Sequence, residues 1–157
     1  MTVVRVFGIG SPFGDDQLGW EVIKLLQQRE RLCHLLSKGL TLMWADRPGL
    51  RLLEWMRGVN TMILIDAVKT GAAVGTCYRF LQDECSMLSN GLSTHGIGLA
   101  EAIDIARALH ELPEKLIIYG MEIAEVEGNF HLTAPVTQAL LPLAIRVEQE
   151  IMDLFNE

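Results

Sequence analysis

Long apolar runs, paired cysteines and clustered basic residues are all missing from this sequence, and each absence removes a class of function. No uninterrupted apolar stretch approaches the ~18 residues of a membrane-spanning helix, so no membrane partner is expected. The opening residues, Met1-Thr2-Val3-Val4-Arg5, read as the start of a strand rather than as a charged leader ahead of an apolar signal core. A soluble, cytoplasmic protein is the expectation. Cysteine occurs only three times, at Cys33, Cys77 and Cys85; an odd number without Cys-x-x-Cys spacing supports neither a disulfide framework nor a zinc knuckle. These read as free thiols in a reducing compartment. Thirteen Lys and Arg stand against twenty Asp and Glu, for a net charge of −7, and no Lys/Arg stripe offers a track for a phosphate backbone. Nucleic acid is not an expected partner. Also missing are G-x-S-x-G, G-x-x-x-x-G-K-[ST] and H-E-x-x-H.

What is present is a chain of 157 residues, 50% of them hydrophobic, enough for one compact domain over residues 1–157 with a sizeable core. Short apolar runs alternate with longer amphipathic ones, the pattern of a mostly parallel sheet with crossover helices. Strands are expected at 3–9, 40–45, 61–66, 76–82 and 115–123, and helices at about 17–32, 49–57, 96–111 and from 134 onward. The 76–82 strand is the most polar and suits a sheet edge. Residues 83–94 are the least regular, with Asn90-Gly91 as a turn signal. Thr133 is a candidate N-cap for the last helix, Pro135 suits its first turn, and Pro142 in its interior predicts a kink. The fold class is therefore α/β: a single three-layer domain, with a twisted, mostly parallel sheet of about five strands, helices on both faces and one antiparallel edge strand.

Open parallel sheets bind ligands beyond the carboxyl ends of their strands. Three such ends carry chemistry here. The first strand runs into "GIGSPFGDDQLG" and the pair Asp15-Asp16; the third ends in Asp66; and "STHGIG", ahead of a helix, holds His95. Two carboxylates and a neutral imidazole together would suit a borderline divalent metal such as nickel or zinc. A dinucleotide site is disfavoured, because G-x-G-x-x-G requires glycine at position 13, which is Phe13. Asp15 reads better as a helix-start residue favoured by the dipole. Asp66 reads as functional, since a carboxylate closing the run Met62-Ile63-Leu64-Ile65 has no basic neighbour before Lys69. His34 and His110 read as surface residues, and His131 lacks a partner in sequence. Ser11 and Ser93 would be nucleophiles only beside a base.

With those positions identified, the chain resembles the hydrogenase maturation proteases, endopeptidases that trim the C-terminus of the precursor large subunit of nickel-iron hydrogenases. "GIGSPFGDDQLGWEV", "MILIDAV", "STHGIGLAEAI" and "IIYGMEI" followed by "HLTAPV" match the family's motifs in order. Ser11 stands where the family commonly has asparagine, Gln17 where glycine is frequent, and the loop ahead of the acidic pair is one residue shorter than usual. The resemblance implies a metal-contacting set of Asp16, Asp66 and His95, and an acidic position near the site at Asp46 that helps substrate recognition or cleavage. For Asp46 the equal alternative is a turn residue before Pro48-Gly49. It also implies nickel supplied by the substrate, with no permanently bound metal in the enzyme, and cleavage that reports a correctly loaded precursor. Two rival functions are a nickel-dependent checkpoint protein that binds the precursor without cutting it, and a small-molecule hydrolase or nucleotide binder on the same fold.

Overall fold

The computed structural model describes residues 1–84, 98–125 and 128–157. Its frame is a five-stranded sheet in the order β2-β1-β3-β5-β4, with β1 at Val4–Gly10, β2 at Leu40–Asp46, β3 at Thr61–Val68, β4 at Cys77–Leu81 and β5 at Lys115–Glu122. Neighbouring strands are parallel except at the edge, where β4 runs antiparallel to β5. That is the α/β architecture the alternating pattern predicts, with the polar strand at the margin.

Helix α1 (Leu18–Gln27) and the long α5 (Ala134–Phe155) cover one face of the sheet, where Leu18, Val22, Ile23 and Leu26 meet Val136, Leu143, Val147 and Ile151. On the other face α3 (Arg51–Met56) and α4 (Leu99–Ala108) pack Leu52, Met56, Ala102 and Ile103 against Phe7, Met62, Leu64 and Ile118. Strand residues alternate between the two cores, as a period of two requires. Among the described residues no helix is long and apolar enough to cross a membrane.

The structure departs from the sequence pattern at two places. The helix expected over 17–32 stops at Gln27, and a short α2 (Glu30–Cys33) follows after Arg29 adopts an extended backbone. The interruption lets Arg29 Nε and Arg31 Nη1 donate to the buried Glu148 carboxylate of α5 at 2.5 and 3.2 Å, and a buried carboxylate demands such partners. Strand β3 continues beyond Asp66 to Val68, paired with β5 throughout, so Asp66 lies within the ladder rather than at its end. Gly8 makes room for α1, since a Cβ there would lie 2.1 Å from the Gly19 carbonyl oxygen. Helix α5 holds Pro142 in its interior, as the sequence reading places it, within 22 helical residues. Pro142 faces solvent, where water can satisfy the carbonyl that its missing N–H leaves free.

Candidate functional site

Strand β2 lies on one side of β1 and β3 on the other; the connection that follows β1 passes through α1 on one face, and the connection from β3 to β5 passes through β4 and then α4 on the opposite face. The two exits diverge around a crevice at the carboxyl edge of the sheet, the topological switch point at which open α/β folds bind ligands. Asp16 and Asp66 flank it.

Asp16 arrives on a 3-10 turn, Gly14–Gln17, that leads into α1. Gly14 opens the turn at φ +49°, a left-handed conformation that glycine adopts without steric penalty. At Gly10 a Cβ would lie 2.1 Å from the Asp16 carbonyl oxygen, so only glycine lets the turn fold back over the strand end. The Ser11 N–H closes that fold by donating to the same carbonyl at 3.2 Å. The Asp16 side chain is buried, and Ser11 Oγ donates to its Oδ2 at 2.5 Å. Ser11, considered from sequence only as a nucleophile, therefore orients a carboxylate.

Asp66 is 1% exposed and accepts the Ala67 N–H at Oδ1, 2.8 Å. Burial pushes its carboxyl well above the usual carboxylate range, the neighbouring Asp16 charge pushes it further, and the Ala67 N–H pulls the other way. Lys69, the first basic residue after it, is occupied elsewhere, 3.6 Å from Glu125.

Asp46 closes β2 in register with Gly10. Unlike the other two carboxylates it is half exposed, and Arg47 holds it through Nε to Oδ1 at 2.6 Å and Nη2 to Oδ2 at 3.3 Å. The Arg47 guanidinium is driven up chiefly by its hydrogen bond and charge contact with Asp46, and in smaller part by Asp16. Asp46, Arg47 and Asp16 thus share one electrostatic neighbourhood. Arg47 carried no sequence signal beyond its adjacency to Asp46.

Asp15 is buried but serves a different end. Its carboxylate accepts the Thr133 N–H at 2.7 Å, the Thr133 hydroxyl at 2.9 Å and the Ala124 N–H at 3.3 Å. From its place in the turn that leads into α1, it thus also fastens the β5–α5 connection. Thr133 is the N-cap residue of α5, as its sequence position suggests, but its side chain makes no cap hydrogen bond and is turned to Asp15 instead. Further ties bind the same connection to the acidic turn: Gly14 N–H to the Asn129 carbonyl at 2.8 Å, Gln17 Nε2 to the Phe130 carbonyl at 2.8 Å, and the Phe13 and Phe130 rings stacked at 5.7 Å.

His95 and Ser93 lie outside the described residues. His34, His110 and His131 are exposed, and among the described residues no group of three His, Cys, Asp or Glu side chains is placed to hold a metal ion. Besides Glu148, a second buried carboxylate escaped the sequence reading. Glu122, at the carboxyl end of β5, accepts the Thr70 N–H at 2.8 Å, the Gly71 N–H at 3.3 Å and the Tyr78 hydroxyl at 3.3 Å, together with the Thr70 hydroxyl. Its position in the apolar run "IIYGMEI" is the same signal that marked Asp66, and here the carboxylate fastens the β3–β4 connection.

The HycI family of hydrogenase maturation proteases matches residues 21–150. The chain belongs to that family. It is an enzyme, a maturation endopeptidase, and the matched span includes Asp46, Asp66 and His95 while Asp15 and Asp16 precede it. Among relatives of this maturation protease, the hydrogenase 2 maturation protease of Escherichia coli (strain K12) is 26% identical over 145 residues, covering 90% of this chain and 85% of that protein. The hydrogenase expression/formation protein HoxM of Azotobacter vinelandii is 28% identical over 153 residues, covering 95% and 72%. The solved structure of the hydrogenase maturating endopeptidase HybD from E. coli has the same fold, with a TM-score of 0.82 at 23% identity over 97% of this chain and 93% of that one.

Proposed function

We propose that this maturation protease removes the C-terminal extension from a nickel-loaded precursor of a nickel-iron hydrogenase large subunit, and that nickel carried by the precursor is what it recognises. The observation that supports this reading is the pair of buried carboxylates at the switch point, Asp16 and Asp66, one of which raises the proton affinity of the other. Like charges buried together are costly until a cation or a proton arrives between them. A divalent metal answers that need directly.

In this reading Asp16, Asp66 and His95 offer oxygen and nitrogen ligands to a nickel already held by the precursor. Such ligands suit a borderline metal, and in this reading they hold a nickel that the precursor supplies and mainly binds, so that the enzyme carries no resident metal of its own. Ser11 keeps the Asp16 carboxylate aimed. Asp46, half exposed at the crevice rim, can accept a proton from the attacking water, while the metal polarises the scissile carbonyl. The stacked Phe13 and Phe130, with Phe130 65% exposed, give the rim an apolar surface against which an extended peptide can lie.

The test is processing of purified precursor, with and without nickel, followed by mass spectrometry of the released peptide. The wild type is expected to release it only from nickel-loaded precursor, and Asp66→Asn and His95→Ala to release none while retaining the wild-type far-UV spectrum. Equal cleavage of metal-free precursor, or an active, folded Asp66→Asn/His95→Ala double variant, would overturn the reading.

A further inference from the structure

Arg47 occupies a backbone position that favours glycine. Its φ is +43°, in the left-handed region where a residue with a Cβ is strained. Its backbone N–H donates to the Gly10 carbonyl at 3.0 Å, a bond that any residue other than proline would supply. The side chain is 42% exposed, so core packing does not require an arginine there either. What the side chain does is reach back along the rim to Asp46, with contacts of 2.6 and 3.3 Å. Gly10, to which the backbone is tied, lies directly against Asp16.

We propose that Arg47 is a specificity-determining residue: its guanidinium acts as a tethered counter-cation at the crevice rim and disfavours capture of free divalent metal ions. This inference rests on the reading of Asp16 and Asp66 as metal-facing groups and adds to it the reason why ions from solution do not occupy them. A guanidinium held on Asp46, on a residue whose backbone is tied to Gly10 against the Asp16 turn, repels a divalent cation that approaches the rim. Arginine stays protonated at every physiological pH, so the exclusion does not lapse. The Asp46 pair is also exposed, and exposed ion pairs are weak enough to exchange. A precursor that covers the rim and brings its own metal can therefore displace the arginine, whereas a hydrated ion lacks the docking surface to do so.

The experiment is calorimetric titration of nickel chloride into the full-length wild type and the variants Arg47→Ala, Arg47→Gly, Arg47→Lys and Arg47→Ala/Asp66→Asn, with a melting temperature recorded for each. Arg47→Ala and Arg47→Gly are expected to bind nickel about fivefold more tightly than wild type, the scale of one exposed charge pair. Arg47→Lys should stay at the wild-type affinity. Arg47→Gly alone should also melt higher, because it relieves the left-handed backbone, which separates charge from strain. Wild-type affinity in Arg47→Ala, with binding that still depends on Asp66, would overturn the role of Arg47 and leave the crevice reading standing. Tighter binding in Arg47→Ala that survives Asp66→Asn would overturn the crevice reading itself. Absence of nickel binding in Arg47→Ala would also overturn the proposal.

Discussion

Asp66 destabilises the fold whenever it carries its charge. Its carboxyl is pushed up chiefly by burial and then by Asp16, so the folded state holds the proton more tightly than the unfolded chain does. The contribution is therefore most favourable below the unfolded value, near ~3.9, and is lost as pH rises through the folded value. Asn at position 66 keeps the shape and can still accept the Ala67 N–H. Asp66→Asn is expected to melt above the wild type at pH 7–8 and to converge with it toward pH 4, with each kcal/mol worth about 2–4 °C in a chain of this length. Scanning calorimetry of both proteins across that range checks it; a difference independent of pH would remove the ionised carboxylate from the account. At this scale the sequence was informative where a charge interrupts an apolar run, as at Asp66. It was silent on Arg47, whose left-handed backbone and contact with Asp46 are conformational facts that no residue type announces.

Two adjacent residues of a single turn serve different elements. A 3-10 turn advances about 120° per residue, so Asp15 and Asp16 cannot face the same way. Asp16 points to the crevice, and Asp15 points to the β5–α5 connection, whose Thr133 is 118 positions away in sequence. Asp15→Ala removes three hydrogen bonds to a buried carboxylate and is expected to cost about 2–4 kcal/mol, since bonds to charged groups are worth more than neutral ones. Urea denaturation measures that loss, and hydrogen exchange should locate it at residues 128–137. Unchanged stability would mean that the connection is held without the carboxylate. Helix α1 teaches the same lesson. The sequence reading carries it on to residue 32, yet the helix ends at Gln27, and Arg29 and Arg31 turn toward Glu148 of α5. Local periodicity cannot report a partner on a distant helix.

At the scale of the whole molecule, α1 sits with its backbone directly on the centre of the sheet. A Cβ at Gly19 would lie 2.6 Å from the Ile9 carbonyl oxygen and 2.7 Å from that of Ile65, on two neighbouring strands at once. Gly19→Ala must lift the helix off the sheet, and a loss of about 3 kcal/mol is expected, at the upper end of ordinary overpacking; an unchanged denaturation midpoint would show slack in that layer. The same close approach brings the 3-10 turn, and with it Asp16, down onto the carboxyl edge beside Asp66. By itself the sequence determined the kinds and order of the elements and the edge position of β4, and it marked Asp66 by the apolar run it interrupts, because hydrophobic period and turn chemistry act over a few residues. Tertiary structure alone decided what Ser11, Asp15 and Glu122 hold, and that Arg47 takes a left-handed backbone against Gly10, because each depends on contacts between residues brought together only when the layers close.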